Sequence, residues 1–406
     1  MTATRQRADL TFAHNVRLGR HGWLRLTPAY SVKVVQEILA EYPDRRSVLD
    51  PFSGTGTTGL VCAERGVPCD LLDINPFLVW FAGAKTAVYD PAVLGDARAA
   101  AAAIVDCAAR AAAPAAPPPP IANIERWWAP GRLDALMRLR AAIDTHARPK
   151  TPVRDLLDVA FCRCVIAWSN AAFNHQSMSF KDVAPGLWDA EGAAAVIPEF
   201  RDAAILVVDG ASSPVLTPAR VRLADARRVP EPTGAPYDLV VTSPPYPNRM
   251  SYIRELRPYM YWLSYLTEPR EAGELDWQAI GGTWGIATSR VDRWAPSGPP
   301  VAFDGFDAML AGIAGRSRLL ANYVHKYFAD MQAHLHALRP RAAPGARLFY
   351  VVGNSKFYDT LVPVEHILAA QMRAAGFVDT DVRALRKRNS KKELVEYVVS
   401  AEAPQC

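Results

Sequence analysis

Ser47-Val48-Leu49-Asp50 runs directly into Pro51-Phe52-Ser53-Gly54-Thr55-Gly56-Thr57-Thr58-Gly59, and this junction decides the fold class. The first part reads as a buried strand. Leu60-Val61-Cys62-Ala63-Glu64-Arg65 then reads as a helix that closes at Gly66, as a helix C-cap does. Pro68-Cys69-Asp70-Leu71-Leu72-Asp73-Ile74-Asn75 reads as a second buried strand. Strand, turn, helix and strand within about thirty residues form a βαβ unit, so the class is α/β with a parallel sheet. Gly54, Gly56 and Gly59 satisfy G-x-G-x-x-G, with Asp73 about 20 residues on at the second strand end. Glycines let the backbone approach a ligand, and a strand-end carboxylate can hold both hydroxyls of a ribose. Any adenosine cofactor would suit that pair. Asp50-Pro51-Phe52 sets this turn apart from nicotinamide folds, in which the apolar strand usually passes straight to glycine. A bland strand-to-helix turn accounts for one glycine and poorly for the whole set.

Outward from this unit, residues 28–42 carry Val32, Val35, Ile38 and Leu39 at helical spacing. Residues 91–120 turn alanine-rich and end in four prolines, which suggests a helix followed by a stiff linker. Residues 121–215 read as an inserted helical subdomain carrying apolar stripes. The βα rhythm resumes at Arg220–Asp225, and Tyr237–Thr242 is a strong apolar strand. Residues 266–318, rich in Gly, Pro and Trp, predict an irregular, loop-heavy insertion. A helix over 319–339, a strand over 347–354, another helix and a final pair of strands around the basic run 386–392 complete the chain. Residues 1–90 and 216–406 thus form the two halves of one sheet domain. No internal repeat is visible.

The length of 406 residues gives a prior of about two to three domains and excludes a small stapled fold. Half the residues are apolar and 21% are charged, which is a globular balance. No run approaches the ~18 uncharged apolar residues of a membrane helix, and no secretory signal opens the chain, so the expectation is a cytoplasmic protein with no membrane partner. A net charge of +5 permits nucleic acid without demanding it. Six scattered cysteines read as reduced thiols. Cys162 and Cys164 lack a second close pair, and His334 and His336 fall on different helix faces, so no metal site is expected.

Thr242-Ser243-Pro244-Pro245-Tyr246 follows a buried strand and so lies at the carboxyl edge of the sheet, where ligands of such folds bind. Two prolines remove two N–H donors and stiffen the turn, leaving the Ser243 hydroxyl and the Pro244 carbonyl as acceptors. Such a site wants a donor. An exocyclic amine on a nucleobase is one, and Tyr246 can stack on the base.

Taken together, Asp50–Gly56, the acidic strand end Leu71–Asn75 and the Ser243–Tyr246 turn resemble the S-adenosylmethionine-dependent DNA amino-methyltransferases, which methylate adenine-N6 or cytosine-N4. The resemblance covers roughly residues 22–90 and 220–400. It implies a doubly wound, mostly parallel, seven-stranded Rossmann-like sheet of the class I methyltransferase type. It further implies that Pro51, Phe52, Gly54 and Gly56 cradle the cofactor and that Asp50 sits by its methionine amine. Asp73 and Ile74 would then hold the ribose side, and Asp225 would lie near the adenine ring. Pro28 and Tyr30 lie in a segment resembling the family's upstream cofactor motif. Ser243, Pro244, Pro245 and Tyr246 become the catalytic turn, and serine at its first position favours cytosine-N4 over adenine-N6.

In-line attack of the amine on a sulfonium methyl needs alignment and acceptors, with no covalent intermediate. Methylation at carbon 5 of cytosine would need a cysteine nucleophile, and the only Pro-Cys pair, Pro68-Cys69, opens a strand. The expected partner is DNA, with phosphate contacts from Arg249, Arg254, Arg386 and Arg388 and with a cognate restriction endonuclease as a further partner. Asn174–Ser177 could read base edges but fits a plain polar loop better. RNA methylation on a base amine, a nicotinamide oxidoreductase and a catalytically inert nucleic-acid binder are the competing readings. Asp73, facing a ribose, is expected to have no packing duty.

Overall fold

A computed structural model of the chain describes residues 7–24, 30–172, 179–180, 192–388 and 393–405. Among them, seven strands form one sheet: β1 Val48–Asp50, β2 Cys69–Asp73, β3 Arg220–Leu223, β4 Tyr237–Thr242, β5 Ala342–Gly353, β6 Val378–Lys387 and β7 Val395–Glu402. Their order across the sheet is β6-β7-β5-β4-β1-β2-β3. The chain walks outward from β1 through β2 to β3, then returns to lay β4 on the other side of β1. All neighbours are parallel except those of β7, which runs antiparallel to β5 and β6.

Alternation of side chains along the strands builds two apolar faces. Val48, Leu71, Leu239 and Val241 pack on one face with α1 (Val32–Glu41) and α2 (Thr57–Arg65). Their neighbours Leu49, Leu72 and Val240 point the other way, into a second core.

Between β2 and β3 lie α3 (Pro76–Thr86), which packs on the sheet, and a block of helices: α4 (Pro91–Ala108), α5 (Pro130–His146), α6 (Pro152–Ala167) and α7 (Gly192–Ala211). Helix α4 starts with Asp90 accepting from Val93 N at 2.8 Å and Pro91 in the first turn, a regular helix start. Its Leu94, Ala97, Ala101 and Ile104 are buried in the same cluster as Leu136, Phe161 and Phe200 of the following helices. The first part of 91–120 is therefore the expected helix, and it is packed into the block. The cluster also takes in Phe77 and Phe81 of α3, so the block shares one core with a helix of the sheet.

After β4 come α8 (Tyr252–Trp262), whose Tyr259 and Trp262 also enter that cluster, and then α9 (Pro269–Gln278), α10 (Ile286–Arg293) and α11 (Phe306–Ala314). Three short helices thus occupy about half of the stretch 266–318, with irregular segments between them. Buried Ala272, Ala287, Val291, Phe306 and Ile313 give these short helices the tertiary packing that their polar composition hides. Helices α12 (Arg318–Leu338) and α13 (Val364–Ala374) fill the second core.

Arg20, only 3% exposed, joins the block to the sheet domain. Its guanidinium donates to the carbonyls of Lys85 (3.2 Å) and Ala87 (2.5 Å) at the end of α3. It also donates to Ala211 (2.5 Å) and Ser213 (3.0 Å) at the end of α7. One planar cation thereby satisfies terminal carbonyls that two helices leave open. Replacing it with an apolar residue of similar length strands several buried acceptors at about 1–3 kcal/mol each. Arg20→Met is expected to cost at least about 3 kcal/mol, read as a lower urea midpoint at unchanged slope.

Candidate active site

Strand order reverses between β1 and β4, and the crevice beyond their carboxyl ends is where a sheet of this kind receives ligands. The Pro51–Thr57 turn leaves β1 and the Ser243–Tyr246 turn leaves β4, and both line one cleft of about 810 Å³. The two turns expected to act together are side by side.

Asp50 does not line that cleft. It is fully buried, accepting from the Thr242 hydroxyl at 2.6 Å, the Thr58 hydroxyl at 2.7 Å and Phe52 N at 3.1 Å. Burial pushes its carboxyl up to about 6, against the pull of these three hydrogen bonds. Rather than meeting a methionine amine, Asp50 ties the end of β1 to β4 and to the first turn of α2. Gly56 is also absent from the cleft wall. With φ +71° it opens α2, and a Cβ there would stand 2.9 Å from the Ala82 Cβ. Its role is close packing of α2 on α3. Gly54, at φ +50°, does line the cleft, where only the Phe52 carbonyl lies within 4 Å of a Cβ position.

The remaining residues expected on the cofactor side converge on the cleft: Tyr30, Pro51, Phe52, Asp73, Ile74 and Asp225 all line it. Pro28 and the rest of its segment lie outside the described residues, as do Asn174–Ser177. The Tyr30 hydroxyl hydrogen-bonds Thr58 and so joins the Asp50 network. Phe52 sets its face at 69° to the His334 ring, 4.9 Å between centroids. That imidazole is a buried core group held between the Ala226 carbonyl (2.8 Å) and the Tyr350 hydroxyl (2.6 Å). The carbonyl can only accept, so Nδ1 carries the proton and Nε2 accepts from Tyr350. Burial lowers His334 to about 4.

Asp73 is half-buried and does have a structural duty. Its carboxylate accepts Gly54 N at 2.9 Å and Asn75 N at 2.8 Å, pinning the glycine turn to the end of β2. Burial raises it to about 7 in spite of those bonds. Asp225 is gripped by the Arg227 guanidinium at 2.7–3.0 Å, and this outweighs its burial and holds its pKa below the ordinary value.

On the other side of the cleft, the Ser243 hydroxyl donates to the Val351 carbonyl at 3.0 Å. Its one proton is committed, so what it offers the cleft is a lone pair. The Pro245 carbonyl accepts from the Tyr327 hydroxyl at 2.8 Å, which anchors the turn to α12. Tyr246 lines the cleft. Burial drives the pKa of its phenol well up.

Of the four arginines, Arg249 is exposed at the cleft, with φ +64°, its N–H held by the Tyr323 hydroxyl at 3.2 Å. Arg254, on α8, does not line the cleft. Arg386 and Arg388 line it but not as free phosphate-seeking cations. Arg386 pairs with Glu396 at 2.7 Å, both largely buried. Arg388 lies over the Tyr246 ring, 5.6 Å from its centroid, and donates to the Asn354 carbonyl at 3.1 Å.

The sequence pattern did not mark Glu396 or the strand Ser355–Phe357, which contribute to the cleft. For that strand a signal was nonetheless present: Asn354-Ser355 follows the apolar β5 at the same sheet edge that singled out Ser243. Leu10 and Thr11 also line the cleft, and nothing local in the sequence marks them. Among the described residues no cluster suits a metal ion, and no helix is long and apolar enough to cross a membrane. Cys162 and Cys164 are buried free thiols of α6.

Two expectations follow. Asp50→Ala leaves the buried Thr242 hydroxyl and the Phe52 N–H without their acceptor, with Thr58 still able to donate to the Val241 carbonyl, and is expected to cost about 2–3 kcal/mol, whereas Asp50→Asn keeps most of that network; comparing their urea midpoints checks this. For Asp73, a folded pKa of about 7 against an ordinary 3.8 means that the native chain holds an extra proton in between. Its contribution to stability is therefore present at low pH and lost as pH rises through about 7. Asp73→Asn is expected to remove that slope from the pH profile of thermal unfolding.

No protein-family model matches the chain. Over 72 residues it is 29% identical to the Type II methyltransferase M.AvaI from Nostoc sp., and equally to that from Anabaena variabilis. The shared stretch is 17% of this chain, which therefore spans only about 15% of the length of these curated relatives. Among solved structures, the rRNA methyltransferase aviRa from Streptomyces viridochromogenes aligns over 93% of this chain and 87% of its own, at 12% identity and a TM-score of 0.30, too slight a superposition to inform the fold. A segment of the chain is thus similar in sequence to a methyltransferase.

Proposed function

We propose that this chain is an S-adenosylmethionine-dependent methyltransferase acting on the exocyclic amine of a nucleic-acid base, with cytosine-N4 in DNA as its substrate. The observation that carries the reading is the committed proton of Ser243. A hydroxyl tied to Val351 faces the cleft as an acceptor, and it does so beside a glycine turn and a strand-end carboxylate suited to adenosine.

The residues present fit that cofactor. Asp73 offers a half-buried carboxylate to paired ribose hydroxyls, and Phe52 and Ile74 give apolar wall for an adenine ring. Gly54 leaves room where a side chain would intrude. When bound, S-adenosylmethionine supplies an electrophilic methyl on a sulfonium. The chain's own part is alignment and charge placement. Ser243 accepts a hydrogen bond from the amine and turns its lone pair, Tyr246 offers a stacking ring, and Tyr327 fixes the turn by holding the Pro245 carbonyl. As the nitrogen becomes tetrahedral and cationic its proton grows acidic and passes to solvent water at the cleft, so no strong base is required. A base inside a duplex is out of reach, so the substrate is extruded or single-stranded. Similarity to a Type II methyltransferase over 72 residues supports the transfer chemistry, and serine at the head of the catalytic turn supports cytosine-N4.

Incubation with labelled S-adenosylmethionine and DNA or RNA, followed by nucleoside mass spectrometry, tests the proposal. N4-methylcytosine in DNA is expected. Ser243→Ala and Tyr246→Ala should each lower kcat by about a hundredfold while cofactor affinity is kept. N6-methyladenine would transfer the reading to the other base, label confined to RNA would remove DNA, and no methylated base in either would sink it.

A further inference from the structure

The basic residues at the end of β6 are placed where phosphate contacts would be expected of them, yet Arg388 is spent on the protein itself. Its guanidinium covers the Tyr246 ring, and its Nη1 donates to the Asn354 carbonyl at 3.1 Å. Its backbone N donates to the Leu394 carbonyl at 2.8 Å, and Asn354 accepts Val395 N at 2.9 Å and donates to the Glu393 carbonyl at 3.0 Å. The arginine is therefore pinned at backbone and side chain alike.

Gly353 is the second half of the arrangement. A Cβ there would stand 2.9 Å from Tyr246 Cε2, 3.0 Å from Cδ2 and 3.0 Å from the Arg388 Nη1. Ring edge and guanidinium meet in the notch that the missing side chain leaves. Tyr246 is thus fixed along one edge and over one face.

Resting on the methyltransferase reading, we infer that Arg388 is a positioning residue and not a phosphate contact. It closes one face of Tyr246 so that an entering base stacks only on the other, and Gly353 is the seat that allows it. A planar guanidinium suits this task, because it stacks on an aromatic face while keeping its in-plane donors for Asn354. A lysine ammonium would keep the charge and lose the plane.

The test is steady-state methylation of a DNA substrate by wild type, Arg388→Ala, Arg388→Lys and Gly353→Ala, over a series of salt concentrations, with cofactor affinity measured alongside. Arg388→Ala is expected to lower kcat about tenfold with cofactor affinity and the salt dependence of KM unchanged. Arg388→Lys should rescue little of that loss. Gly353→Ala, which leaves every cation in place, should lower kcat in the same way, and it carries the test if the arginine variants do not fold. A normal kcat with a raised KM and a flatter salt dependence, restored by lysine, would make Arg388 a phosphate anchor and overturn the inference. Unchanged kinetics in Arg388→Ala or Gly353→Ala would overturn it too. Absence of any methylated base with wild type would instead bring down the methyltransferase reading, and this inference with it.

Discussion

The carboxyl of Asp50 is the point on which the cleft depends. It sits wholly out of water at the place where the strand order reverses, and it accepts hydrogen bonds from Thr58, Thr242 and Phe52. These partners belong to the helix after β1, the end of β4 and the turn between β1 and that helix. A single buried acceptor therefore fixes the relative position of the two turns that line the cleft. Buried carboxyls are costly unless their hydrogen-bonding capacity is used, and here three donors use it.

From that point the rest of the site takes its form. Thr58 extends the network to Tyr30 at the cleft wall, and Asp73 clamps the glycine turn from the neighbouring strand. Across the cleft, β5 supplies the Val351 carbonyl that takes the Ser243 proton, and α12 supplies the Tyr327 hydroxyl that holds Pro245. The Ser243–Tyr246 turn is therefore held from β5 on one side and from α12 on the other. The helical block between β2 and β3 is equally bound in, through Arg20 and through an apolar core shared with α3 and α8.

Several side chains changed their meaning between sequence and structure, and the reasons are physical. Asp50 and Gly56 belong by position to a stretch that resembles a cofactor motif, but one points into the sheet and the other against Ala82, and direction is not written in a motif. Asp73 keeps its place on the cleft and adds a structural hold on Gly54. Arg386 and Arg388 read as phosphate contacts in a basic run, whereas antiparallel pairing of β6 with β7 brings Glu396 to the first, and the turns after β4 and β5 bring Tyr246 and Asn354 to the second. Short helices at 269–314 were hidden because their local propensity is weak and their order comes from packing.

By itself the sequence determined what is local: the βαβ unit around residues 48–73, the strand that delivers Ser243, the stiffness of its two prolines, and the carboxyl edge as the place where ligands would meet both turns. Period-two apolar runs and glycine or proline at turns carry that information directly, because they act on neighbouring residues. Only the tertiary structure decided which of those residues face the cleft, that the Ser243 proton is spent on Val351, and that Arg388 covers Tyr246. Each of those contacts joins residues more than a hundred positions apart, and such pairings are set by how the strands order themselves and how the helices close over them.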